Sequence, residues 1–256
     1  MKSSKSADQP ETLGSGTLLS HLLELRRRLL FAIIAVGVVF AALAPFANRL
    51  FTWIAVPLIQ RLPEGSHMIA TQVASPFLAP FKLALITAIF IAIPILLYQI
   101  WAIVAPGLYR SERRIIMPLL SASTILFYTG MVFAYFVVFP MMFGFFAHTA
   151  PEGVAVMTDI NNYLDFVLAL FFAFGFAFEI PVATVLLVWV RLVNIAWLKK
   201  NRPYVLLGVF IIGMLLTPPD VISQTLLAVP MYILYELGIV FAKIMVPPRE
   251  EASDET

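Results

Sequence analysis

This sequence predicts an all-α fold, a polytopic integral membrane protein, and three observations predict it. First, 61% of its 256 residues are hydrophobic and 12% are charged, against roughly 25% charged in an average soluble chain. The mean hydropathy is +0.93. Second, the apolar residues gather into runs near the roughly 20 residues that a helix needs to cross a hydrocarbon core. Third, the charges between those runs are lopsided. With six transmembrane helices, 14 of the 17 Lys and Arg side chains fall on the face that carries both chain ends, while Arg49, Arg61 and Lys82 fall on the other. Lys and Arg concentrate in cytoplasmic loops, so both termini are expected in the cytoplasm.

Taken in order, residues 1–16 are polar, rich in Ser and Gly, and expected to form a disordered cytoplasmic tail. Leu18, Leu19, Leu22, Leu23 and Leu25 predict an amphipathic helix over Thr17 to Arg28, lying on the membrane surface. The first span is expected at about 29–47. Arg26–Arg28 and Ala42-Leu43-Ala44 have the look of a cleavable leader, but the leucine-rich segment before the arginines and the later spans argue against it. Residues 48–82 read as a long connection capping one face, with an extended stretch at Met68 to Val73. Further spans are expected at about 83–108, 116–140 and 166–190. Two more follow at 203–218 and 221–242, short enough to thin the bilayer. The membrane domain thus covers 17–243, and 244–256 reads as a second disordered cytoplasmic tail. Prolines at 45, 94, 106, 118, 140, 181, 203, 218, 219 and 230 lie in or beside the spans. They predict bent helices whose freed carbonyls take partners from neighbouring helices.

The sequence excludes several kinds of chemistry. It has no cysteine, and no Walker-type, His-Glu-x-x-His or Gly-x-Ser-x-Gly motif. No enzyme activity, cofactor, metal or nucleic-acid partner is expected. What remains is a small set of polar residues. Glu24 precedes Arg26–Arg28, and Glu112 lies between Arg110 and Arg113. Each pairs with local arginines on one reading; on the other, the two carboxylates receive incoming guanidinium groups. Charge-assisted hydrogen bonds contribute roughly 1.5–3 kcal/mol each, so two give about two to four decades of affinity. Lysine does not reproduce the bidentate geometry. Glu179 is the acid deepest in a span, and intramembrane acids default to function; a proton-coupled small-solute transporter built on Glu179 is the alternative. Asp220, after Pro218-Pro219, reads as a helix N-cap, and Thr217 and Gln224 flank it with hydrogen-bonding capacity for another helix.

Three motifs, in order, resemble the TatC family, the signal-peptide receptor subunit of the twin-arginine protein translocase. They are Ser20-His21-Leu22-Leu23-Glu24-Leu25-Arg26-Arg27-Arg28, the segment Ala105 to Arg114, and Leu216-Thr217-Pro218-Pro219-Asp220. The resemblance implies a curved, glove-like six-helix bundle in the bacterial inner membrane, exporting folded proteins with the proton-motive force. It implies that Glu24, Glu112 and Arg26 bind the twin-arginine signal peptide and that Glu179 faces the concave surface. It implies that Met214, Thr217 and Gln224 dock the single-span partners TatA and TatB, within a larger homo-oligomeric complex. Pro57 and Asp220 match sensitive positions on the trans side. Gln72 and Ser75 stand in the first trans loop where relatives often carry an acid.

Overall fold

The computed structural model describes residues 13–59, 68–104, 116–149, 157–217 and 220–246. Its regular elements are helical apart from an isolated bridge between Ile69 and Asp159. Helix α1, Leu13–Leu43, runs unbroken through Arg26–Arg28, so the surface helix and the first span are one rod. No proline interrupts this stretch, and its 31 residues make a rod about 46 Å long. It also begins inside the 1–16 segment expected to be disordered. A 3₁₀ turn at Ala44–Phe46, where Pro45 ends the first helix, leads to α2, Ala47–Ile59.

The connection expected over 48–82 is therefore largely helical. Helix α3, Ser75–Val104, starts eight residues before the charge-free run at 83. The charge that hid this start is Lys82, which pairs with Asp165 on a neighbouring helix. Helix α4, Ile116–Phe133, continues through a π-helical turn, Ala134–Val138, into α5, Phe139–Thr149. The wider turn sits just before Pro140, whose ring lacks the N–H that an α-helix would need there.

Helix α6, Ile160–Ala177, and α7, Ile180–Trp189, meet at a break over Phe178 and Glu179. Pro181 removes the N–H that would bond the Ala177 carbonyl, so the rod bends there. After the short α8, Ile195–Lys200, come α9, Arg202–Leu216, and α10, Val221–Met245. Of this last pair only α9 is short, at 15 residues; α10 has 25 and extends past residue 244. Among the described residues, five helical stretches are long and apolar enough to cross a membrane, ending with Val221–Met245, and Arg202–Leu216 is a shorter apolar helix beside them.

Helix α1 packs on α3, α3 on α4 and α6, α4 on α6, α7 on α10, and α10 on α9. The core lies around α6, where Tyr163, Leu164, Val167, Leu170 and Phe174 are buried against Phe127 and Phe139. Close approach of α4 and α6 requires Gly130, where an added Cβ would sit 2.4 Å from the Phe174 carbonyl oxygen.

Two proline-freed carbonyls find donors on a neighbouring helix. Pro94 leaves the Phe90 carbonyl without its helical donor, and the Tyr128 hydroxyl of α4 donates to it at 3.0 Å. Pro57 does the same to the Trp53 carbonyl, and the Tyr135 hydroxyl donates to that at 3.2 Å.

Candidate functional site

A groove of about 1000 Å³ opens between α1 and α3. Helical spacing builds it: Glu24, Arg28 and Phe31 recur at steps of four and three along α1, and Pro94, Ile95, Tyr98 and Gln99 do so along α3. Its rim is charged, with Glu24, Arg26, Arg27 and Arg28, and its floor is apolar, with Leu30, Phe31, Ile34, Pro94 and Ile95. The Arg28 Nε donates to Glu24 Oε1 at 3.1 Å, and Nη2 lies on the same oxygen. Nη1 reaches across the groove to Gln99 Oε1 at 3.5 Å. A carboxylate and an apolar trough thus meet where a cationic segment followed by an apolar one would lie. Glu112 lies outside the described residues. Gln99 went unseen in the sequence because nothing there joins it to residue 28, which is 71 positions away.

Glu179 sits at the break between α6 and α7. Its neighbour is the buried Ser123 hydroxyl of α4, and its Oε1 is buried without a hydrogen-bond partner among the described residues. Glu179 forms no part of the lining of the α1–α3 groove.

The three residues at the α9–α10 turn do not share one open face. Met214 is exposed, Gln224 is half-buried, and Thr217 is buried with its hydroxyl donating to the Gly213 carbonyl at 3.0 Å. Asp220 caps α10, its carboxylate accepting from the Ser223 N–H at 2.7 Å. Pro57 lies within α2.

The sequence did not reveal the cluster at the other end of α3. Asp159 caps α6 by accepting from the N–H groups of Asn161 and Asn162, at 2.9 and 3.2 Å. It also accepts from Thr71, at 2.9 Å from the N–H and 2.6 Å from the hydroxyl. These donors, the Thr71 hydroxyl foremost, lower the carboxyl pKa to about 2. Asn161 donates to Ser75 at 2.5 Å, and the Tyr163 hydroxyl to the Ile54 carbonyl at 2.6 Å.

The family model for "Sec-independent protein translocase protein (TatC)" matches residues 20–230. The TatC protein of Azotobacter chroococcum mcd 1 is 58% identical over 247 residues, 96% of this chain and 97% of its own length. That of Escherichia coli K12 is 58% identical over 229 residues, 90% of this chain and 89% of its own. A crystal structure described as the twin arginine translocase receptor TatC matches with a TM-score of 0.79 at 34% identity, covering 89% of this chain and 100% of that one.

Proposed function

This chain belongs to the TatC family of Sec-independent protein translocase proteins, and we propose that within the translocase it is the receptor for twin-arginine signal peptides. It is a multi-pass membrane protein and a protein-transport component. In this reading Glu24 and Glu112 each accept one signal guanidinium, and Arg26 orients the approach. The apolar part of the signal then lies along the Phe31, Ile34, Pro94 and Ile95 floor. Glu179 accepts a polar group from a signal or partner helix. Met214 and Gln224, with Thr217 shaping the turn between them, receive partner helices of the TatA and TatB kind. Pro57 and Asp220 hold the trans side in shape. Both termini face the cytoplasm across the bacterial inner membrane, six spans are counted with α9, and the proton-motive force drives export of folded cargo.

The observation that carries this reading is the groove itself, an exposed carboxylate on the rim of an apolar trough. Arginine suits such a rim because its planar fork matches a carboxylate, which an ammonium does not. The test is to replace Glu24 and Glu112 singly with Ala and to measure crosslinking to a signal peptide carrying Arg-Arg or Lys-Lys. Each variant is expected to lose Arg-Arg crosslinking toward the Lys-Lys level. Unchanged Arg-Arg crosslinking in both would overturn the proposal.

A further inference from the structure

The geometry points to Arg28 as a built-in competitor: it occupies Glu24 while the groove is empty, and an incoming arginine binds by displacing it toward Gln99. The inference rests on Glu24 being a guanidinium receptor. Arg28 is the least exposed of the three rim arginines, with 22% of its side chain open. Its Nε and Nη2 both converge on Glu24 Oε1. That is not the fork in which two N–H groups meet two different carboxylate oxygens, so the hold is weaker than the one an incoming guanidinium can make. The third nitrogen, Nη1, already points at Gln99 Oε1, at a long 3.5 Å. A small turn of the side chain toward α3 would shorten that bond as the bonds to Glu24 are given up. One guanidinium thus replaces another on Glu24, and Arg28 keeps an acceptor in Gln99.

This arrangement has a definite thermodynamic consequence. A competitor present in the empty site weakens every ligand of that site by the same factor, because only the free state changes. It does not create the preference for arginine over lysine, which comes from the bound states. It sets a threshold: ligands that make only point-charge contacts fall below it, and forked ligands stay above. An exposed pair at this spacing is ordinarily worth about twofold in an equilibrium constant. Here the carboxylate is exposed but the arginine is mostly covered, with 22% of its side chain open and a second acceptor across the groove, and the proposal sets its hold at about tenfold. That difference separates the proposal from a routine surface pair.

The experiment uses the full-length chain in lipid nanodiscs and labelled synthetic signal peptides carrying Arg-Arg or Lys-Lys, with affinity as the readout. Arg28→Gln is expected to tighten both peptides alike, by about tenfold. Arg28→Lys, which keeps a cation at this position, is expected to fall between that variant and the unmodified chain. Lys199→Gln removes the same charge outside the groove and is expected to change affinity by less than about twofold. Gln99→Leu is expected to weaken Arg-Arg binding when Arg28 is present and to have no effect in the Arg28→Gln background. Unchanged or weaker binding in Arg28→Gln overturns the proposal, as does an equal gain in Lys199→Gln, which would make the effect one of net charge. Glu24→Gln is measured in parallel. If it leaves Arg-Arg binding intact, the receptor reading itself fails, whatever Arg28 does.

Discussion

The two ends of α3 are built on opposite plans. At its start, residues 68–75, the first turns of α6 and the α2 backbone are joined by closed hydrogen bonds. Ile69 bridges to Thr158 and Ile160 at 3.0 and 2.9 Å, Asp159 gathers four donors, and Tyr163 reaches back to Ile54. At the other end, Gln99 meets Arg28 across an open groove through one long contact, and the apolar side chains of α1 around it are exposed. The difference teaches where rigidity and exchange are placed. A closed network of buried polar groups fixes one arrangement, since breaking any member leaves others unsatisfied. A rim held by an exposed ion pair and a long amide contact can trade partners at small cost. The first end holds the helices in register; the second is free to bind.

If that division is right, substitutions at the two ends will separate binding from stability. The largest effect is expected from Glu24→Ala: a fall in Arg-Arg peptide affinity of about 10- to 100-fold, with the melting temperature of the purified chain unchanged. A matching loss of thermal stability would show that the groove end is structural too. Tyr163→Phe should do the converse. It removes the hydroxyl that donates to the Ile54 carbonyl, 2.6 Å away in the structure, and costs about 1.5 kcal/mol of stability, with peptide affinity intact. Tyr128→Phe is intermediate in kind and smaller in size, about 1 kcal/mol. The carbonyl it abandons, that of Phe90, belongs to the turn before Pro94, and Pro94 lines the groove. A modest change in peptide affinity should therefore accompany the stability loss, and its absence would show the proline bend to be self-supporting.

Much of this plan was legible in the sequence, and the rest was hidden for definite reasons. Hydropathy runs marked the long helices because burial in lipid demands them. It missed the start of α3, since a run-based reading stops at Lys82, and only a residue 83 positions later, Asp165, makes that charge tolerable. Pro94 announced that a carbonyl would need a donor, but the tyrosine that supplies it comes from another helix, 38 positions from the carbonyl it serves; Pro57 was not read that way, and its Trp53 carbonyl is served by Tyr135, 82 positions on. On the site side, Glu24 and its arginines stood out because they are adjacent in the chain. Gln99 and the apolar floor did not, because the groove exists only once α1 lies against α3. The division between a rigid end and an exchanging end is a tertiary property, and local sequence carries only half of each.

The smallest expected effect is one of pH, and it bears on the rigid end alone. The Asp159 carboxyl pKa lies near 2 in the folded chain, below its ordinary 3.8, chiefly because of the Thr71 hydroxyl and N–H. A lowered folded value means that the unfolded chain takes up its proton first as the pH falls. The contribution of Asp159 to stability is therefore complete above pH 4, declines as the pH passes through 3.8, and is gone once it falls below about 2. Asp159→Asn removes this dependence while keeping a neutral cap on α6. The gap in melting temperature between the unmodified chain and Asp159→Asn should be constant from pH 8 to about pH 4 and should narrow below that. Peptide binding at the groove end should be indifferent to the substitution throughout. A gap that stayed constant down to pH 2.5 would mean that Asp159 does not act as the charged centre of the network. The rigidity of that end would then have to come from Tyr163, Asn161 and the Ile69 bridge alone.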